Sequence, residues 1–257
     1  MISEKDLERY SRQIIIPDFD EEGQEIIKNS KILVVGAGGL GCSTSIYCAA
    51  TGFGMIDIID HDTVNLSNLN RQIAYSENDI GKYKAKVLKK VCLRLNPNIK
   101  IKSFYIKFDL NFYIGDYDII IDCSDNIEAR FHINQLTHTN KKIFIHGSAT
   151  QFEGQMGVFK SGVNNLLPCY ECLFPIDTYE QNQFNCREAG IVGSITNFIS
   201  SLQVTETIRE LFIQNKHRVN SAFSKNSMSG HIFLYNGLEQ ELTKIKIKKN
   251  VKCKICG

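Results

Sequence analysis

Six residues, Gly36-Ala37-Gly38-Gly39-Leu40-Gly41, constrain this chain of 257 residues more than any other feature. They have the form G-x-G-x-x-G, and their context gives the pattern meaning. The apolar run 31–35 precedes them and reads as a buried parallel strand. Residues 40–50 follow, rich in small and apolar side chains, and suit a helix packed on a sheet. Glycines there permit a tight turn and let the backbone approach a phosphate at the helix N-terminus.

The rest of the chain continues the alternation. Strands are expected at 55–60, 99–105, 118–122 and 142–146, with an amphipathic helix over 82–95 that stops at Asn96-Pro97. This predicts a doubly wound, mostly parallel α/β sheet. Before it, residues 4–12 form a helix-like run, and Pro17 stops regular structure. After it, residues 154–160 alternate like a more exposed strand, and 195–213 form a long amphipathic helix. Residues 221–226 read as a loop, and 232–235 with 242–247 as an antiparallel pair. No linker separates independent domains, so one unit is expected over 1–257: an N-terminal arm (1–30), a nucleotide-binding part (31–150) and a C-terminal part (151–257).

A glycine turn indicates a nucleotide without saying which. Asp60 ends the second strand, where a carboxylate accepts hydrogen bonds from ribose hydroxyls. A nicotinamide dehydrogenase would show the same features. The segment that follows favours more charge. Asn65, Asn68, Asn70 and Arg71 crowd the chain past the strand end, and Lys82, Lys84 and Lys86 open the next helix. Cations there suit a triphosphate. Lys82 and Lys86 read as a solvated helix face, Arg71 as functional. The strand 119–121 empties into Asp122-Cys123-Ser124-Asp125-Asn126 at the carboxyl end of the sheet. Asp125 is placed to hold Mg²⁺ on phosphates, or else to cap the following helix.

The nine cysteines sort by spacing. Nothing resembles a secretory signal or an apolar stretch long enough to span a membrane, so a reducing cytoplasmic setting is expected. Metal ligation or thiol chemistry is then favoured over disulfides. Cys169, Cys172, Cys253 and Cys256 form two Cys-x-x-Cys pairs, and four thiolates make a closed tetrahedral Zn²⁺ site. Each pair alone could be a redox motif. Cys42, Cys48, Cys92 and Cys123 read as structural residues. Cys186 differs, because the adjacent Arg187 favours its thiolate; a structural loop cysteine is the alternative. With a net charge of +2, composition alone points to neither nucleic acid nor a membrane surface.

Five features in this order resemble the ThiF/MoeB/HesA family, bacterial relatives of ubiquitin-activating enzymes. They are Arg9-Tyr10-Ser11-Arg12-Gln13-Ile14, the glycine turn, Ser67-Asn68-Leu69-Asn70-Arg71-Gln72, Cys123-Ser124-Asp125-Asn126 and the two cysteine pairs. The resemblance covers essentially the whole chain. It implies a Rossmann-like fold and ATP- and Mg²⁺-dependent adenylation of the C-terminal glycine of a small ubiquitin-fold sulfur carrier ending in Gly-Gly. By resemblance Gly36, Gly38, Gly39 and Gly41 form the nucleotide turn and Asp60 holds the ribose. Asn68, Arg71 and Lys84 contact phosphates, and Asp125 is the Mg²⁺-linked catalytic aspartate. Arg12 matches an arginine that reaches into a neighbouring subunit, which implies a homodimer. Cys186 matches a cysteine of sulfur transfer, and the four paired cysteines match a zinc site.

Residues 9–13 and 185–187 tilt the expectation toward a ThiS-like carrier of thiamine thiazole synthesis over a MoaD-like carrier of molybdopterin. No rhodanese-like extension follows Gly257, so a separate sulfur donor, a cysteine-desulfurase relay, is expected. Two other classes remain beside this: a nicotinamide oxidoreductase, and a non-catalytic partner subunit.

Overall fold

The computed structural model of the chain describes residues 2–176, 190–217 and 227–257. Its N-terminal arm differs from the sequence expectation. Helix α1 (Glu4–Arg9) opens with a capping box in which Ser3 Oγ accepts from the Asp6 amide and the Asp6 carboxylate accepts from Ser3 N. The helix-like run then breaks at Tyr10, which leaves helical geometry at φ −103°, ψ 12°, and α2 (Ser11–Ile14) follows. Tyr10 is buried because its ring packs on Gly52 and its hydroxyl accepts from Asn96 Nδ2 at 2.8 Å. After Pro17 a further helix forms, α3 (Asp20–Asn29). Its sequence hides it, since Gly23 is a poor helix former. Glycine is required there: a Cβ at that position would lie 2.8 Å from the Phe212 ring.

The core alternates as expected. The elements run β1 (Lys31–Val35), α4 (Gly39–Thr51), β2 (Met55–Ile59), α5 (Lys84–Leu95), β3 (Ser103–Phe104), β4 (Ile119–Asp122) and α6 (Ile127–Thr139). They continue with β5 (Ile143–Thr150), β6 (Glu153–Phe159), α7 (Tyr170–Leu173), α8 (Gly193–Gln214), β7 (His231–Asn236) and β8 (Glu241–Lys246). One sheet results, in the order β3-β2-β1-β4-β5-β6-β7-β8. Strands β3, β2, β1, β4 and β5 pair in parallel, and β6, β7 and β8 extend the sheet antiparallel. The fold is therefore Rossmann-like, with a C-terminal antiparallel extension.

Both faces of the parallel strands are covered, which explains their unbroken apolar runs. Ile32 and Val34 join Ile199, Leu211 and Phe212 of α8 in one core cluster. Leu33 and Val35 join Phe144, Phe159 and Tyr170 in the other. The long helix α8 buries a polar seam as well as an apolar stripe. Thr196, Ser200, Gln203, Thr207 and Glu210 are all buried on it, and Ser200 Oγ donates to Leu40 O at 2.9 Å. The strand expected over 99–105 pairs only at Ser103 and Phe104, with one isolated bridge from Lys100 to Met55. The Asp57 carboxylate accepts from the Lys102 amide at 2.9 Å, tying this segment to β2 through a side chain. Among the described residues no helix is long and apolar enough to cross a membrane.

Candidate functional site

Strand order reverses at β1, whose neighbours are β2 on one side and β4 on the other. In open α/β sheets such a switch point leaves a crevice beyond the strand ends. Here the crevice is a cavity of about 1110 Å³. The glycine turn forms its floor. Gly36 sits at φ +100°, and a Cβ there would lie 2.5 Å from the carbonyl oxygen of Cys123 at the end of β4. Gly38 and Gly39 line the cavity, and the N-terminus of the 13-residue helix α4 begins beside it. Gly41 does not line it. A Cβ there would collide with the Gly36 carbonyl, so this glycine serves the close packing of helix on strand.

The turn is buttressed by Asp60, which the sequence singles out, and by Tyr75, which it does not. Tyr75, buried, donates its hydroxyl to Ala37 O at 2.7 Å. Asp60 accepts from Ala37 N through one carboxylate oxygen and from Asp62 N through the other, both at 2.7 Å. Burial raises the Asp60 carboxyl above its ordinary range, against these amide hydrogen bonds and nearby Lys84. Each oxygen keeps lone-pair capacity for further donors such as ribose hydroxyls.

Asp60, Asn68, Arg71, Lys84 and Asp125 all line this one cavity. Lys84 is buried and pairs with Asp62 at 3.0 Å, whereas Lys86 is exposed and exposed Lys82 pairs with Asp79. Arg71 donates to Ser67 O at 2.9 Å and to Asn70 Oδ1 at 3.0 Å, which folds its side chain over its own turn. The alternative role of Asp125 as a helix cap is not realised. Asn126 caps α6 instead, its Oδ1 accepting from Ala129 N at 2.8 Å, and Asp125 is exposed at the cavity. Arg12 is exposed on α2 and does not line the cavity of its own chain. Cys186 lies outside the described residues.

From the glycine turn the cavity runs on along the antiparallel extension. Ser148, Thr150, Glu153 and Gln155 line it from β5 and β6, and Tyr235, Asn236 and Thr243 from β7 and β8. The space is therefore larger than a nucleotide needs, and part of its wall is sheet.

The four paired cysteines converge from opposite ends of the C-terminal half. Their sulfurs all lie within 4.8 Å of one another, with Cys169 to Cys253 at 3.5 Å and Cys172 to Cys256 at 3.4 Å. Tetrahedral zinc with Zn–S bonds of about 2.3 Å requires sulfur separations of about 3.8 Å. A Cys₄ donor set at this spacing fits zinc. The other described cysteines, Cys42, Cys48, Cys92 and Cys123, are buried, and burial pushes the Cys42 and Cys92 thiols up to about 12. They are protonated core residues.

A family model described as the ThiF family matches residues 10–255. The molybdopterin-synthase adenylyltransferase of Salmonella typhimurium (strain LT2) is 35% identical over 259 residues, covering 100% of this chain and 98% of that protein. The sulfur carrier protein adenylyltransferase of Thermus thermophilus is 33% identical over 260 residues, covering 99% of this chain and 92% of that one. Among solved structures, E. coli MccB with MccA-N7isoASN superposes with a TM-score of 0.79 at 20% identity, covering 97% of this chain and 74% of MccB. That likeness concerns the fold.

Proposed function

The chain belongs to the ThiF family, and from that premise we propose that it is an ATP-dependent adenylyltransferase acting on the C-terminal glycine of a small ubiquitin-fold sulfur carrier. The observation that carries this reading is a single cavity. A phosphate-binding turn, two cations and a carboxylate share it with a sheet-walled groove able to take an extended peptide tail. A nicotinamide enzyme has no need of Arg71 and Lys84 at the phosphate end or of such a groove.

The reaction joins two anions. A carboxylate oxygen of the carrier's last glycine attacks the α-phosphorus of ATP. The new C–O–P bond forms as the bond to the β-phosphate bridging oxygen breaks, and pyrophosphate leaves with that electron pair. No general base is required, because the attacking carboxylate is ionised at neutral pH. The work is positioning and charge compensation. Backbone amides at the start of α4, with Lys84 and Arg71, offset the phosphate charge, and Asn68 orients it. Asp60 holds the ribose. Mg²⁺ would be held through the oxygen donors of Asp125, where it neutralises phosphate charge.

In this reading residues 31–150 bind the nucleotide, and residues 151–257 bind the carrier and zinc. Arg12 belongs to the site of a second subunit in a homodimer. The carrier is a MoaD-like or a ThiS-like protein. Residues 9–13 and 185–187 favour the second, but relatives named for molybdopterin synthase match along nearly their whole length, which supports the first at least as well.

The test is ATP–pyrophosphate exchange with candidate carriers ending in Gly-Gly, read with mass spectrometry of the acyl-adenylate. Exchange that requires one carrier supports the reading and names the carrier. Exchange with none, or thermal stabilisation by NAD(H) rather than Mg-ATP, refutes it.

A further inference from the structure

Asp122 and Ser124, just before Asp125 in the chain, belong to a buried polar cluster that the proposed chemistry does not use. Asp122 ends β4 and His146 stands beside it in register on β5, both fully buried. The Asp122 carboxylate accepts from His146 Nδ1 at 2.8 Å, from Ser124 N at 2.9 Å and from Ser124 Oγ at 2.5 Å. The Arg130 Nε lies 3.5 Å away, and Arg130 Nη2 donates to Ser124 O at 3.1 Å. Gln203 Nε2 holds the Asp122 carbonyl at 2.7 Å.

His146 has one tautomer that fits. Burial lowers its pKa, outweighing the pull of Asp122, which favours the neutral ring. Its Nδ1–H donates to the carboxylate, which leaves Nε2 as an acceptor facing Gln155 Nε2 at 3.5 Å. The ring plane is set by Tyr170, edge-on at a centroid distance of 5.0 Å. Tyr170 follows zinc-site Cys169 directly, so the metal site and the turn share this contact.

We infer that His146 is a positioning residue for the adenylation reaction, holding Asp122 so that the turn 123–126 presents Asp125 at a fixed place in the cavity. His146 does not line the cavity. It acts through Asp122, whose hydrogen bonds fix Ser124 immediately before Asp125. A buried carboxylate is costly unless its partners are complete, so removing the imidazole donor loosens what Asp122 holds. Misplacement by about 1 Å at a reacting centre costs on the order of 100-fold in rate. The inference rests on the adenylyltransferase reading for its kinetic arm alone.

The test compares His146→Leu with His146→Asn, whose amide N–H can replace the Nδ1–H donor. Carrier-dependent exchange should lose roughly 10- to 100-fold in kcat for His146→Leu, with KM for ATP within about 3-fold, and His146→Asn should recover most of the loss. In an Asp125→Asn background, His146→Leu should add less than about 2-fold, because the residue being positioned is already disabled. Deuterium exchange of a peptide covering 123–130 should accelerate in His146→Leu and not in His146→Asn.

Equal losses in both backgrounds, or unchanged exchange in that peptide, overturn the inference. Should His146→Leu fail to fold, Ser124→Ala replaces it, with a smaller kcat loss that again vanishes beside Asp125→Asn. A wild-type protein silent with every carrier removes the adenylation reading, and the deuterium-exchange arm still decides whether His146 holds the turn.

Discussion

Lys84 is joined to Asp62 twice, its Nζ 3.0 Å from the carboxylate and its amide 2.9 Å from the Asp62 carbonyl. The two ends of the ion pair differ in exposure: the lysine side chain is 7% exposed and the aspartate 42%. A buried lysine thus lines the cavity beside the glycine turn, paired with a counter-ion that faces water. On the proposed function, an arriving phosphate would take over the lysine and leave Asp62 to solvent, so no charge would be stranded.

Replacing Lys84 tests that arrangement. A charge-assisted contact is worth about 1.5–3 kcal/mol, so Lys84→Met should weaken Mg-ATP binding by roughly 10- to 150-fold. Asp62→Asn should leave binding unchanged or tighter. Titration calorimetry reads both, and equal weakening by the two substitutions would assign the pair a purely structural role.

The cysteine cluster should hold one zinc per chain in protein purified without chelator. Stripping the metal should lower the melting temperature, because it releases the tail at Cys253 and Cys256 from the body at Cys169 and Cys172. Cys253→Ser should lower zinc content by elemental analysis. A metal-free protein with unchanged melting temperature would contradict this role.

Acid should loosen the N-terminal arm before the core. Asp6 is buried, which alone would raise its carboxyl, but hydrogen bonds from Lys28 and Ser3 hold it down at about 2, against an ordinary 3.8. A depressed carboxylate contributes stability that is present above its unfolded pKa and lost as pH falls through the folded one. The window is therefore from near 4 down to about 2, with a contribution of roughly 1–2 kcal/mol. Asp6→Asn should remove that part of the acid dependence of unfolding; an unaltered profile would show that the Asp6–Lys28 pair carries no weight.

Cys186→Ala should leave carrier adenylation within about 2-fold of wild type, since no thiol takes part in that step. Thiocarboxylate formation with a sulfur donor should fall instead. Full thiocarboxylate yield from the variant would make this a structural loop cysteine.

The sheet, the glycine turn and the cysteine pairs were legible from sequence because each is signalled over a short span. A strand, a glycine turn and a helix occupy 31–51, and a Cys-x-x-Cys pair is complete in four residues. The arm was less legible. Tyr10 ends a helix for a reason located at Gly52 and Asn96, and α3 survives Gly23 because Phe212 packs there. Neither cause is near its effect in the chain.

Local order therefore determined which groups this protein carries: a glycine turn between strand and helix, cations after it, a carboxylate at a strand end and four cysteines in two pairs. Only the tertiary structure decided who meets whom. It brought sulfurs 84 residues apart to 3.5 Å, and it set His146 against Asp122 by the register of two parallel strands. It also ran the cavity beside the glycine turn along the antiparallel strands. The reason is physical: short-range pattern reports backbone preference and side-chain type. Pairing, burial and the protonation state that follows from them depend on neighbours supplied by distant segments.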